Sequence, residues 1–359
     1  MKRREFIKKA AAGVAASTVF GPVYAQTRRR FRLRMATSWP KSLDTIYGGA
    51  QDVADFVKAA TDGMVEIRPF AANEIVGALQ VLDAVQQGTV DLGHTASYYY
   101  IGKSPTFAFD TTLPFGLTVR QQNAWWYFGG GGELMNKFYA DFGVIGFPAG
   151  NTGVQMGGWF RREINDLEDL KGLKMRIPGL GGKVMSRLGV DVQVLGAPEI
   201  FPALERGVID ATEWVGPYDD EKLGFHKVAQ FYYYPGWWEP APQLNLYVNL
   251  KTWESLPKDV QETIKSAAAA ANVRMMAKYD AQNPAALKRL LAQGTKLRKY
   301  PNDVLREAEK QAFELYEEMA SQDKTFREIF ESWKKFREEN YRWHATAELS
   351  YAQFAFPKV

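Results

Sequence analysis

The chain has no cysteine among its 359 residues and only three histidines, His94, His226 and His344. The first absence excludes disulfides, thiolate catalysis, cysteine-ligated zinc or iron–sulfur clusters and a lipid anchor on cysteine. The second, with the three far apart in sequence, argues against a histidine-rich metal site. Charge of one sign is also missing. Five of the 45 Lys and Arg and one of the 41 Asp and Glu fall in the first 25 residues, so the remainder balances at 40 against 40. Nucleic-acid binders show a basic excess, and this chain has none once that segment is set aside. No stretch of roughly 18 uninterrupted apolar residues occurs, so no membrane-spanning helix is expected. No Gly-x-Ser-x-Gly, His-Glu-x-x-His or Walker phosphate loop is present, which removes the commonest motif-bearing enzyme classes. The apolar share of 46% argues against disorder.

Residues 1–25 read as a secretory signal: a basic start with Arg3 and Arg4 adjacent, an apolar run Ala10–Phe20, and Val23-Tyr24-Ala25 before a cleavage point. The run Arg3–Lys9 resembles a twin-arginine signal, which exports folded proteins; an ordinary export signal with two chance arginines is the alternative. Either predicts a soluble protein in the periplasm. The remaining 334 residues have room for two lobes of roughly 100–200 residues each.

Strand and helix patterns alternate. Phe31–Ala36 alternates like a strand, and Ala50, Val53, Ala54, Val57 and Ala60 recur at helical spacing. Val65–Arg68 reads as a strand, Leu79–Val85 as a helix capped by Gly88, and Val90–Gly93 as a strand. The pattern restarts after Gly150, with strands expected at Val154–Phe160, Leu173–Ile177, Val190–Leu195 and Val208–Ala211 and helices at Leu180–Leu188 and from Pro198. This alternation predicts a mostly parallel sheet covered by helices. Ala84–Leu92 (AVQQGTVDL) aligns with Ala203–Ala211 (ALERGVIDA) as a helix end, a glycine cap and a strand. Two similar lobes explain this repeat, and so does the recurrence of such units in any α/β fold. From Pro257 onwards the chain reads as helical, with no strand. One stripe runs Val260, Ile264, Ala267, Ala271, Met275; a helix opens at Asn302 and is striped in its second half by Phe326, Ile329, Phe330, Trp333 and Phe336, a face expected to build a dimer, with packing on its own lobe as the alternative.

Gly129–Gly132 precedes a helix and has two readings, an anion cradle or a flexible surface loop. Residues 167–179 say more. On a strand, Leu173, Met175 and Ile177 point one way and Lys174 and Arg176 the other. Arg176 then stands at the strand's carboxyl end, before Pro178-Gly179, where open α/β sheets bind ligands. A guanidinium there can grip a carboxylate bidentately; a surface arginine is the plain alternative. Glu213-Trp214-Val215-Gly216-Pro217 also follows a strand and reads equally as a pocket wall or as a buried Trp beside a solvated Glu. Tyr98-Tyr99-Tyr100 and Tyr232–Glu239 are aromatic runs at corresponding places in the two halves, which favours a cleft.

At these residues the chain resembles the periplasmic substrate-binding subunits of TRAP (tripartite ATP-independent periplasmic) transporters. Asp169–Gly179 (DLKGLKMRIPG) carries that family's arginine motif, and Glu213–Pro217 with Tyr234–Glu239 is similar to its 2-oxo acid-binding subgroup. The resemblance implies an α/β, two-lobed clamshell with long interlobe and C-terminal helices. Lobe I would be residues 26–150 with 241–280, lobe II residues 151–240, and residues 281–359 helices packed on the lobes and in a homodimer. It implies no chemistry but the binding of a small 2-oxo or 2-hydroxy monocarboxylate with a metal cation, Na⁺ or Ca²⁺, for delivery to the TRAP permease subunits. Arg176 would hold the carboxylate; Gln155, Glu213, the Trp214 backbone and Glu239 would line the cation; Asn151, Trp214 and one tyrosine of the run Tyr98, Tyr99, Tyr100 would complete the pocket. A larger acid such as a C4-dicarboxylate is one rival, and a cofactor-loaded enzyme exported folded is another.

Overall fold

The computed structural model describes residues 30–356, so the export signal expected at 1–25 lies outside the described residues. The first half begins with β1 (Phe31–Thr37), α1 (Ile46–Ala60), β2 (Val65–Phe70), α2 (Val81–Gln86) and β3 (Leu92–Thr95). Helices α3 (Val119–Phe128) and α4 (Gly131–Ala140) lead into β4 (Val144–Asn151). The second half runs β5 (Trp159–Phe160), β6 (Lys174–Arg176), α5 (Gly179–Arg187), β7 (Asp191–Gln193), α6 (Ala197–Glu205), β8 (Ala211–Thr212), α7 (Pro217–Leu223) and β9 (Phe231–Tyr234). Then come β10 (Gln243–Asn249), the long helix α8 (Lys258–Ala292), β11 (Lys296–Lys299), α9 (Asn302–Gln322) and α10 (Lys324–His344).

Two sheets result, ordered β2-β1-β3-β10-β4 and β11-β9-β5-β8-β6-β7. The sheets are mixed rather than mostly parallel. In each, one strand runs antiparallel to both neighbours: β10 between β3 and β4, β5 between β8 and β9. The chain passes from the first sheet to the second after β4 and returns between β9 and β10.

The internal repeat is structural. Gly88 and Gly207 both take left-handed backbone, φ 70° and 71°, and each is followed by an amide bonded back into its helix, Thr89 to Ala84 O at 2.9 Å and Val208 to Ala203 O at 2.9 Å. The strand that follows pairs in parallel with the strand that opens the unit, Met35 opposite Leu92 and Met175 opposite Ala211. The Asp91 and Asp210 carboxylates accept from the Arg34 and Lys174 amides at 2.7 and 3.1 Å. One β-α-β unit is thus built twice, and Arg176 occupies the position that Ala36 holds in the other copy.

Several elements differ from expectation. Val154–Gly158 is loop, turned by Gly158 at φ 84°, and only Trp159–Phe160 pairs. Strands β4, β9 and β10 were not expected as such, and β11 overturns the reading of an all-helical C-terminal third by pairing in parallel with β9. The helix opening at Asn302 breaks at Asp323, whose extended backbone and carboxylate cap α10 through Phe326 N–H at 2.9 Å. Gly129–Gly132 is a tight corner between α3 and α4 closed on the Trp125 ring, neither cradle nor loop. The stripe Phe326, Ile329, Phe330 and Trp333 is buried in its own chain, against Phe109 and Tyr316, with ring centroids 4.8 Å apart for Phe109–Phe326.

At 35 residues, α8 is about 52 Å long. Its first half buries Val260, Ile264, Ala267 and Ala271 in the core of the first sheet, and Met275, Tyr279 and Leu290 further along are buried in a cluster that joins Trp39, Leu43 and Ile46 of the first half to Trp159, Ile200 and Tyr232 of the second. Asp219 of α7 ties this helix to the start of α1, accepting from Tyr279 and Thr45 hydroxyls at 2.6 Å each.

Candidate functional site

Strands β6 and β8 run parallel with Arg176 opposite Thr212, so Arg176 and the following Glu213 leave the sheet at the same carboxyl edge. Both are buried: Arg176 is 1% exposed and Glu213 fully enclosed. The guanidinium is held by its Nε, which donates to Leu195 O at 3.0 Å, and by Nη1, which donates to Glu213 O at 3.2 Å and to the Glu213 carboxylate. The Trp214 ring covers it, 5.2 Å from centroid to Cζ. The surface-arginine alternative is thereby excluded.

The loop after β4 and the turn after β9 supply the opposing wall. Gln155 N–H donates to Glu239 O at 3.3 Å, Gly236 N–H to Gln155 O at 3.2 Å, and Met156 N–H to Val215 O at 3.0 Å, which brings three separate segments together. Gln155 Nε2 donates to Thr152 Oγ1 at 3.2 Å. Asn151 is buried and frames this loop, its Oδ1 accepting from Gly153 N–H at 2.9 Å and its Nδ2 donating to Ala241 O at 3.4 Å.

The tyrosine run forms a single 3₁₀ turn, Ser97–Tyr100, in which successive side chains diverge by about 120°. Tyr98 and Tyr99 stack at 5.0 Å on the cleft. Tyr100 does not join them: Leu82 N–H donates to its hydroxyl at 3.1 Å, Thr95 Oγ1 lies 3.0 Å away, and its ring packs on Phe107. Its expected place in the pocket is corrected to the core. Gly179, at φ 65°, lets the start of α5 press onto the Tyr98 ring, where any Cβ would collide. A substitution there would displace Tyr98.

The resulting cleft, almost filled by its own walls with a cavity of about 10 Å³, is lined by Trp39, Ile46, Tyr98, Tyr99, Gln155 and Trp214, closed by Thr152, Val215, Pro242 and Leu244. Trp39, Ile46 and Leu244 were not among the expected site residues. Trp39 was detectable, since it follows the carboxyl end of β1, the position equivalent to Pro178-Gly179.

Charge within the site does not balance. Burial pushes Glu213 up to about 7 against the pull of Arg176, and burial with the Glu213 charge holds Glu239 well above the carboxylate range. Burial opposes the Arg176 charge, yet Glu213, Tyr99, Tyr98 and Glu239 outweigh it and keep the guanidinium protonated. Arg176 Nη2, Glu213 Oε2, Glu239 Oε2 and Gln155 Oε1 are buried here without a hydrogen-bond partner, and so is Trp214 Nε1 beside them. Buried polar groups are seldom left unpaired, so the first four mark unfilled valence. Among the described residues no three His, Asp or Glu side chains converge as a metal site.

Comparison with known proteins places this geometry in a class. Residues 35–323 match the family of bacterial extracellular solute-binding proteins, family 7. A monocarboxylate 2-oxoacid-binding periplasmic protein of Nostoc sp. is 56% identical over 361 aligned positions, covering 99% of each chain. A TRAP solute-binding protein from Bordetella bronchiseptica, a mixed-occupancy dimer with calcium and picolinate, superposes with a TM-score of 0.91 at 46% identity, over 91% of this chain and 98% of that one. One from Pseudoalteromonas atlantica, with sodium and pyruvate, gives 0.89 at 42% identity, over 92% and 100%. The chain belongs to family 7 of the extracellular solute-binding proteins, the two-lobed periplasmic subunits of TRAP transporters. Such proteins bind and deliver solutes and are not enzymes. Among the described residues no helix is long and apolar enough to cross a membrane.

The raised Glu239 pKa carries a pH signature. A carboxyl whose folded pKa lies above its unfolded value, about 4.3, contributes stability that is present below that value and lost as pH rises through the folded one. In ligand-free protein, Glu239→Gln is therefore expected to raise the melting temperature by a few degrees at pH 8 and to leave it unchanged near pH 4.5, checked by scanning calorimetry at both values.

Proposed function

We propose that the protein binds a small 2-oxo or 2-hydroxy monocarboxylate together with a hard cation, Na⁺ or Ca²⁺, and presents it to TRAP permease subunits. The observation that carries this reading is the set of four unpartnered buried atoms. Arg176 Nη2 is a donor suited to a carboxylate oxygen. Glu213 Oε2, Glu239 Oε2 and Gln155 Oε1 are hard oxygens suited to an alkali or alkaline-earth ion. With the Trp214 carbonyl they would hold the cation, which would neutralise the excess of carboxylate over guanidinium and polarise the ligand's 2-oxygen. Asn151, whose amide keeps a second N–H, and Tyr98 complete the pocket in this reading. The bound pyruvate, sodium and calcium of the relatives support it.

A C4-dicarboxylate fits less well. Its second carboxylate would need another buried cation, and apart from Arg176, which lies behind the Trp214 ring, no basic residue borders the cleft. The same reading divides the chain into lobe I, residues 26–150 with 241–280, and lobe II, residues 151–240, with Lys296–Lys299 of the C-terminal part attached to the second sheet.

Arg176→Ala is expected to weaken pyruvate binding by about 2–5 kcal/mol, roughly 30-fold to several-thousand-fold in Kd, and Arg176→Lys to weaken it less, having lost the planar fork. Isothermal titration checks both; binding of the alanine variant within threefold of wild type would refute the assignment.

We also infer a homodimer, but not through the stripe of α10, which is core. The candidate surface lies beyond it. Trp343, Tyr351 and Phe354 are 62%, 67% and 91% exposed on the last helical turns and Phe356, just past them, is 67% exposed; large apolar side chains left bare in this way mark interaction surfaces. Tyr351→Asp with Phe354→Asp is expected to convert the protein to a folded monomer in light scattering, with its circular dichroism unchanged.

A further inference from the structure

Behind the site lies a further buried carboxylate, Asp220 on α7, which is 1% exposed. Three neutral donors, rather than a cation, hold it. Its Oδ2 accepts from Trp159 Nε1–H at 2.9 Å and from the Tyr232 hydroxyl at 2.7 Å, and its Oδ1 accepts from Val215 N–H at 3.2 Å. Trp159 and Tyr232 stand opposite each other on β5 and β9 with their rings stacked at 4.0 Å. The sheet therefore fixes the donors on Oδ2, and the bond from Oδ1 is the one that reaches the site.

Val215 N–H belongs to the Trp214–Val215 peptide, which is trans. A trans peptide is planar, and its N–H and C=O point opposite ways. With the N–H turned to Asp220, the Trp214 carbonyl faces away from it. The carbonyls on either side are both occupied: Glu213 O accepts from Arg176 Nη1 at 3.2 Å, and Val215 O from Met156 N–H at 3.0 Å. Trp214 O, between them, accepts from no group among the described residues. Its flanking contacts are thus to Arg176 and to the residue after Gln155, and Arg176 and Gln155 themselves carry unpartnered atoms. A carboxylate on the N–H also polarises the peptide as a whole and makes its oxygen more negative.

We propose that Asp220 is the positioning residue of the cation site: by holding Val215 N–H it aims the Trp214 carbonyl at the ion. The inference rests on the cation reading above and adds to it a residue, outside the set of ligands, that sets the affinity for the ion. Groups that orient a metal's ligands from behind change metal affinity by about 10- to 100-fold when removed.

The chain contains a single Trp-Val pair, Trp214-Val215. Protein labelled with carbonyl-carbon-13 tryptophan and nitrogen-15 valine therefore gives one carbonyl–amide correlation in nuclear magnetic resonance, from this peptide alone. The spectra are taken at pH 8, above the value of about 7 to which burial pushes Asp220. In wild type, calcium added in the presence of pyruvate is expected to shift the Trp214 carbonyl resonance and to leave the Val215 amide proton at the low field of a bond to a carboxylate. An unmoved carbonyl with pyruvate bound overturns the proposal whether or not any variant folds. Calorimetric titration of pyruvate over a series of calcium concentrations gives the second reading. Asp220→Ala should raise the calcium needed for half-maximal binding by about tenfold or more, yet bind pyruvate within threefold of wild type once calcium saturates. Tyr232→Phe removes a donor from the other oxygen of Asp220 and leaves Val215 N–H bonded; it should lower the melting temperature and keep the calcium requirement within threefold of wild type. An Asp220→Ala protein with the wild-type calcium requirement, or an equal rise in both variants, overturns the assignment. If wild-type pyruvate binding needs no cation, the reading above fails and takes this proposal with it; if it needs calcium but neither the resonance nor the Asp220→Ala titration moves, only the role of Asp220 has failed.

Discussion

The site is organised around one buried guanidinium and two buried carboxylates. Arg176 and Glu213 form an ion pair almost without solvent contact, and Glu239 lies close enough for burial and the Glu213 charge together to raise its pKa. An ion pair taken out of water gains little unless its remaining donors and acceptors are met. Here they are not met within the chain, since one atom of each group is left over. The protein thus carries, in its second half and facing Tyr98 and Tyr99 of the first, a deficit that a small anion with a cation would fill.

The fold delivers those groups through a duplicated unit. The β-α-β segment ending at β3 and the one ending at β8 share their glycine caps and their aspartate-to-amide bonds. The carboxyl ends of β1 and β6 are thus equivalent places, one followed by Trp39 and the other ending in Arg176. One copy contributes an apolar wall and the other a charge. The reversed strands β5 and β10 sit beside the crossings that follow β4 and β9, and these crossings carry Gln155 and Glu239, with Asn151 at the end of β4. Helix α8, with Asp219 bonded to Thr45 and Tyr279, backs both halves.

Much of this was legible in the sequence, for physical reasons that can be named. The repeat showed because a left-handed glycine after a helix is a strong local requirement. Arg176 showed because alternation on a strand fixes both its face and its position at the end. Other elements were hidden. Strand β10 is buried along its whole length yet contains Gln243, Asn245 and Asn249, which find partners in Asp110, Ser97 and Val85 O that only the folded chain provides. Strand β11, Lys-Leu-Arg-Lys, has the composition of a solvated segment and is a strand because β9 offers it an edge. The stripe on α10 was read correctly as an apolar face, but periodicity cannot say what covers a face, and here Phe109 and Tyr316 do. Tyr98 and Tyr100 could not be told apart before the 3₁₀ turn was known.

The central claim, that a cation completes the charge balance of Arg176, Glu213 and Glu239, is tested most directly by titrating pyruvate into exhaustively chelated protein in sodium-free buffer near pH 7, then repeating with sodium or calcium restored, in two buffers of different ionisation enthalpy. The account predicts weak binding without the ion, recovery with it, and release of protons as the cation draws the raised carboxyl pKa values down. Unchanged affinity in the absence of any cation, accompanied by uptake of a proton, would contradict it.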